Sequence, residues 1–151
     1  MNFIGGSEMD GKCENRPYLL LMKTTKVIQE RIRMEMIKNK LNLTEFSVLE
    51  VLYLNGKQTI QQIGTSILIA SGSMTYVIDK LEQKGLLKRN GCPNDRRVIH
   101  VELTEEEGVC LMNKMMPNHR DLVNDMFGFL NDDESQTLVR ILEKVSKRVE
   151  A

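Results

Sequence analysis

The side chains best suited to chemistry lie between Ser71 and Arg97, and the chemistry they suit is the binding of a polyanion. Wrapped at about 100° per residue, the stretch from Ser71 separates into two sides. One is apolar, with Met74, Val77, Ile78 and Leu81; the other carries Ser73, Thr75, Tyr76, Asp79, Lys80 and Gln83. A helix in a DNA major groove needs short hydroxyl side chains near its start to reach base edges. Hydroxyls, backbone N–H groups and a cation such as Lys80 then hold phosphate. Gly72 allows close backbone approach, and a helix start at Ser71 turns unsatisfied amides toward an anion. Against this, Asp79 repels phosphate, and serine or threonine at a helix start is often a plain cap. Further along, Asp95, Arg96 and Arg97 close a turn-rich stretch. Arginines there can enter a narrow minor groove, where the potential is most negative, and Asp95 can hold Arg97 extended through a bidentate pair.

Catalytic and metal-binding constellations are not apparent. Cys13, Cys92, Cys110, His100 and His119 show neither CxxC nor HExxH spacing, so no zinc site, Cys–His nucleophile or cofactor is expected. The run Glu105–Glu107 suits a helix start, where carboxylates complement the dipole. His119, two residues after Pro117, reads as a satisfied structural histidine, with a pocket or interface role as the alternative. An odd cysteine count suits a reducing compartment.

The 151 residues suffice for one domain, and 41% hydrophobic with 28% charged residues is the composition of a folded chain. The longest apolar run, Tyr18 to Met22, is far short of a membrane span. The first residues lack a basic segment followed by an apolar core, so a cytoplasmic product is expected. Net charge is zero, but unevenly spread: residues 57–100 hold 7 basic and 3 acidic groups, whereas residues 101–151 hold 6 and 11. A basic middle between near-neutral and acidic flanks lets one face meet phosphate while the rest keeps the molecule soluble.

The elements that must position these residues follow from periodicity. Residues 1–16 read as a tail. Leu21, Ile28, Ile32 and Met36 mark one face of a long helix from Tyr18 to about Lys40. Thr44 is placed to cap a second helix that stops at Asn55-Gly56, and Thr59 with Gln62 forms a capping box for a third ending near Leu68. The fourth, from Ser71, stops at Gly85-Leu86. Two strands, Leu86–Arg89 and Val98–Leu103, then flank a loop, with Ile99, Val101 and Leu103 facing inward. Thr104 with Glu107 opens a fifth helix that Pro117 should kink, and Asn131 with Glu134 opens a sixth carrying Leu138, Ile141, Leu142, Val145 and Val149. The predicted fold is mainly α with a small β-hairpin wing: a winged helix–turn–helix over residues 43–103, flanked by long helices at 17–42 and 104–151.

The stretch Ile60–Thr104 resembles the winged helix–turn–helix of the MarR family of bacterial transcriptional regulators. The resemblance is carried by Ser71-Gly72 and Thr75 opening the recognition helix, Leu81-Glu82 with Gly85-Leu86 closing it, Asp95-x-Arg97 and Leu103-Thr104. Leu43-Thr44-x-Phe46 and Pro117-x-His119 extend it to about Tyr18–Val149. It implies a homodimer clasped through the first, fifth and sixth helices, reading a pseudo-palindromic operator in double-stranded DNA. Ser71, Ser73, Thr75, Tyr76 and Lys80 would face the major groove, and Arg97, oriented by Asp95 and beside Arg96, the minor groove. The terminal helices independently carry more apolar surface than one small domain covers, so part of it is expected to meet another chain.

The resemblance further implies a repressor released by a small aromatic or phenolic ligand, or by cysteine oxidation. Met34, Met36, Met112, Met115 and Met116 are candidates to line a ligand pocket, since thioethers repack around flat rings, although core filling is their commoner use. The peroxide-sensing branch has its cysteine where this chain has Leu20. Cys92, near Arg89 and Arg96, is the candidate redox sensor, in a stretch similar to the wings of quinone- and thiol-stress members. The competing reading is a winged-helix protein-interaction module without DNA affinity, with a small enzyme a remote third. A steep salt dependence of duplex binding separates the first two.

Overall fold

The computed structural model describes residues 15–67 and 73–150. Helix α1 spans Arg16–Ile37. It starts inside the stretch read as tail because the Asn15 side chain accepts from the Tyr18 N–H at 3.0 Å, and Pro17 in the first turn gives up no helical hydrogen bond. Helix α2 covers Leu43–Asn55. Its cap is Asn42, not Thr44: Asn42 accepts from Glu45 N–H at 2.8 Å, the Glu45 carboxylate accepts from Asn42 N–H, and Thr44 is buried within the first turn. Gly56, with φ of 73°, closes the helix onto the Leu52 carbonyl.

A short strand β1 (Gln58–Thr59), not foreseen, precedes α3 (Ile60–Ser66), which the Thr59/Gln62 capping box opens as predicted. Helix α4 runs Met74–Gln83 with Ser73 at the cap position. The predicted start at Ser71 lies outside the described residues, and the third helix ends at Ser66, just short of the predicted Leu68. After α4, Leu86 N–H bonds to the Leu81 carbonyl and Gly85 N–H to that of Glu82, with Gly85 at φ 75°, so Leu86 folds back into the core.

Strands β2 (Leu87–Cys92) and β3 (Asp95–Leu103) form the wing, and with β1 they make an antiparallel sheet ordered β1-β3-β2. The strands reach further toward the tip than predicted, taking in most of the supposed loop. Val101 and Leu103 face the core, but Ile99 is 42% exposed because the hairpin has by then projected past the domain.

Thr104 does not form the predicted box with Glu107. The chain enters a short π-helical turn, Glu105–Val109, and the Thr104 hydroxyl accepts from Gly108 N–H one residue later. Thr104 is already pinned, its hydroxyl to the Gly85 carbonyl at 2.6 Å and its N–H to that of Leu86. The wider turn fits this anchor. Helix α5 (Cys110–Phe127) continues through Pro117, and α6 (Asp132–Val149) opens on the predicted Asn131/Glu134 box.

Helix α2 is buried on nearly all sides and forms the middle of the core with Ile63, Ile78, Leu81, Val101 and Met112. By contrast α6 buries no residue, and Ile141, Leu142, Val145 and Val149 stand exposed, as do Tyr18 to Met22 of α1. A groove of about 590 Å³ between α1 and the end of α5 is lined by Val27, Ile28, Met126 and Phe129. No helix among the described residues is long and apolar enough to cross a membrane.

Candidate nucleic-acid interface

Helix α4 divides as its periodicity predicts. Val77, Ile78 and Leu81 are buried, while Ser73, Thr75, Tyr76 and Lys80 are exposed. Ser73 occupies the cap position without a side-chain capping bond, so its hydroxyl is not spent on the helix start. The Lys80 ammonium lies 5.0 Å from the centre of the Tyr76 ring, one turn earlier. Hydrogen bonding and then charge from the Tyr76 side chain raise the Lys80 pKa above its ordinary value. Lys80 therefore stays a cation at neutral pH, braced against an aromatic face. Ser71 and Gly72 fall outside the described residues.

Asp79, which by sequence opposes phosphate, is partnered. Arg89 on β2 reaches back to α4, pairing one guanidinium nitrogen with Asp79 and another with Glu82 at 2.9 Å. Its backbone N–H also donates to Glu82. These bonds, Asp79 first, raise the Arg89 pKa further above its already high value. Arg89 thus cancels the acidic part of the α4 face and ties the wing to that helix. The sequence shows only an Arg ten residues after an Asp. The signal that could have located the pair is that Gly85 must turn β2 back alongside the helix it has just left.

The wing tip exposes its arginines by a register irregularity. Gly91 pairs with Ile99, so a regular ladder would set Cys92 opposite Val98, but Cys92 faces Asp95. Arg96, Arg97 and Val98 are therefore extra residues on the β3 side, and the ladder cannot hold them in plane. The Arg97 side chain is 94% exposed. Asp95 does not grip it in the predicted bidentate pair: one carboxylate oxygen accepts from Arg97 N–H at 2.9 Å, with Nε at 3.7 Å. Asp95 fixes the backbone that launches Arg97, as an Asx turn does, and leaves the guanidinium open.

Comparison with known proteins places this geometry. The MarR family model matches residues 41–99. The regulator MhqR of Bacillus subtilis, an HTH-type transcriptional regulator, is 42% identical over 128 residues, covering 85% of this chain and 88% of its own. This chain belongs to the MarR family. Among solved structures, BpsR of Bordetella bronchiseptica, whose DNA binding is regulated by 6-hydroxynicotinic acid, aligns with a TM-score of 0.74 at 27% identity over 87% of this chain and 98% of that one. A mutant MarR from E. coli complexed with operator DNA shares the fold, with a TM-score of 0.74 at 24% identity over 92% and 99% of the two chains. The family is one of transcriptional regulators, so the reading as a non-enzyme stands with the fold class.

Two other groups considered as MarR effector sites lie as follows. Met36, Met112, Met115 and Met116 are closed into the core, and Met34 is exposed with its sulfur near Arg33. The cavities described in the protomer are lined by other residues. Met112, Met115 and Met116 face inward because α5 packs that stripe against α2, and Met36 is buried from α1. Cys92 is a half-buried free thiol whose cross-strand neighbour is the acidic Asp95, so its setting is less electropositive than the flanking arginines suggest. Cys110 is also free, and Cys13 lies outside the described residues.

His119 is the residue that sequence reasoning undervalued. It is buried on α5 with Nε2 3.1 Å from the Glu50 carboxylate of α2, but Nδ1 has no partner, so it is not the satisfied structural histidine predicted.

Proposed function

We propose that this MarR-family protein is a repressor that binds a pseudo-palindromic operator as a homodimer and is released by a small aromatic ligand. One observation carries the DNA reading. The exposed hydroxyl and cation face of α4 and the launched Arg97 are mounted on two elements that Arg89 locks together. In this reading Ser73, Thr75 and Tyr76 contact base edges, Lys80 and the helix start hold phosphate, Arg96 supplements the phosphate contacts, and Arg97 enters the minor groove. Ser71 joins the major-groove set by its position in the family motif.

The homodimer is supported by α6, an 18-residue helix with an apolar stripe and no buried residue. A second copy covering that stripe and the α1/α5 groove would remove exposed apolar surface that a monomer seldom tolerates. Two-fold symmetry would set the paired α4 helices at half-sites about 34–36 Å apart. Ligand release is supported by the relationship to BpsR and by the polar junction between α2 and α5.

The test is operator binding by fluorescence anisotropy on the region upstream of the protein's own gene, over a series of salt concentrations. A dimer by light scattering and a steep negative slope of log affinity against log salt are expected. A dimer with no salt-dependent duplex affinity would replace this reading with a protein-interaction module.

A further inference from the structure

One side chain clasps the ends of α1 and α4. Lys84 stands at the cap position that closes α4, and its ammonium donates to the Lys40 carbonyl at 3.1 Å and to a Glu45 carboxylate oxygen at 3.0 Å, across 44 and 39 residues of sequence. Both helix ends carry the same turn. Lys40 N–H bonds to the Ile37 carbonyl and Leu41 N–H to that of Met36, just as Gly85 and Leu86 bond to Glu82 and Leu81. In such a Schellman turn the closing residue is left-handed and is usually glycine. Gly85 follows that preference, but Lys40 at φ 58° does not, and among the described residues it is the only non-glycine with a positive φ.

A side chain in that conformation is strained, and the strain persists where the surroundings hold it. Here the carbonyl of the strained residue is an acceptor for Lys84. Glu45 is the other half of the clasp. Its carboxylate is 4% exposed, and the oxygen that takes Lys84 also accepts from Asn42 N–H at the cap of α2. A carboxylate so deep needs a cation beside it, and breaking such a pair costs far more than breaking one in solvent. An ammonium bonded to two fixed acceptors has little freedom. The end of α4 is thereby tied to the corner where α1 gives way to α2.

We propose that Lys84 determines which half-site spacing the dimer accepts, by fixing the angle of α4 against the stem. This rests on the dimeric operator-binding reading above and gives it a positioning residue: Lys84 lies at the end of α4 away from Ser73 and acts on DNA only through the helix it holds. The leverage is geometric. Ten residues at a rise of 1.5 Å make α4 about 15 Å long. A tilt of about 10° about the Lys84 end moves the Ser73 end by about 2–3 Å, and the second protomer doubles the change, against a rise of about 3.4 Å per base pair. Val77, Ile78 and Leu81 seat α4 on the core, while the clasp fixes one end of it to α1.

The experiment selects duplexes from a random pool with the full-length wild-type protein. Anisotropy then gives affinities for the selected site and for two derivatives, one with a central base pair inserted and one with a central base pair removed. The wild type should lose at least about tenfold in affinity on either derivative, whereas Lys84→Met should lose less than about threefold while preferring the same half-site sequence. The double variant Lys84→Met/Glu45→Gln strands no buried charge and keeps an acceptor for Asn42 N–H, so it decides the matter if the single variant does not fold. A contact that only stabilised the fold would weaken all three duplexes alike. Variants that discriminate spacing as sharply as the wild type therefore overturn the assignment. A wild type that binds its selected paired site and tolerates both derivatives overturns it too, while leaving dimeric operator binding intact. Selection of no paired half-sites overturns the two together.

Discussion

Arg89 in the first strand of the wing is paired with Asp79 on the exposed side of α4, and the same guanidinium also reaches Glu82. The contact joins the two parts proposed to face DNA, outside the core that they share. Arg89→Ala should lower operator affinity about tenfold or more, because it releases the wing and uncovers two carboxylates beside phosphate. Lost charge-assisted bonds should also cost about 1–3 kcal/mol of stability. Anisotropy and thermal melting measure the two effects. Unchanged affinity would show that the wing needs no such tether.

Arg97 makes one long ion-pair contact with Asp95 and is otherwise in solvent. Arg97→Ala should therefore leave melting temperature and oligomeric state unchanged, weaken operator binding, and reduce the salt slope by about one per protomer. A slope identical to that of the wild type would remove Arg97 from the phosphate and groove contacts.

Leu142 lies on the apolar stripe of α6, where no intrachain partner buries it. Leu142→Asp costs a monomer little but places a charge in any interface formed by the stripe. Light scattering should show dissociation at micromolar concentration, with the helical circular dichroism of the winged part retained. A dimer as tight as the wild type would move the interface elsewhere.

Gly108 sits where the π-helical turn crosses the wing base, and a Cβ there would run into the Leu86 carbonyl oxygen. The obstacle is backbone, which cannot rotate away, so Gly108→Ala should destabilise by about 1–3 kcal/mol. That corresponds to a melting temperature lower by roughly 2–4 °C per kcal/mol. A variant as stable as the parent would mean the turn can relax to an ordinary helix start.

Much of this was written in local sequence. The apolar spacing of Met74, Val77, Ile78 and Leu81 determined which side of α4 faces outward, and Thr59/Gln62, Asn131/Glu134 and Gly85-Leu86 determined where helices begin and end. Periodicity and capping act over three to seven residues, a range in which the chain's own geometry leaves few alternatives. One miss was itself local: Asn42 rather than Thr44 caps α2, through reciprocal bonds with Glu45 three residues on. Another arose where a distant segment intervenes. Thr104 was drawn out of its box by the carbonyls of Gly85 and Leu86.

The chain alone therefore specified helices, wing and the residues turned toward solvent, because these depend on neighbours along the backbone. Only the tertiary structure decided that Arg89 cancels Asp79, and that His119 meets Glu50 and Phe46 while keeping one nitrogen bare. Such pairings join atoms on different elements. They are fixed by how α2, α4, α5 and the sheet close around a common core, which no spacing within a single segment encodes.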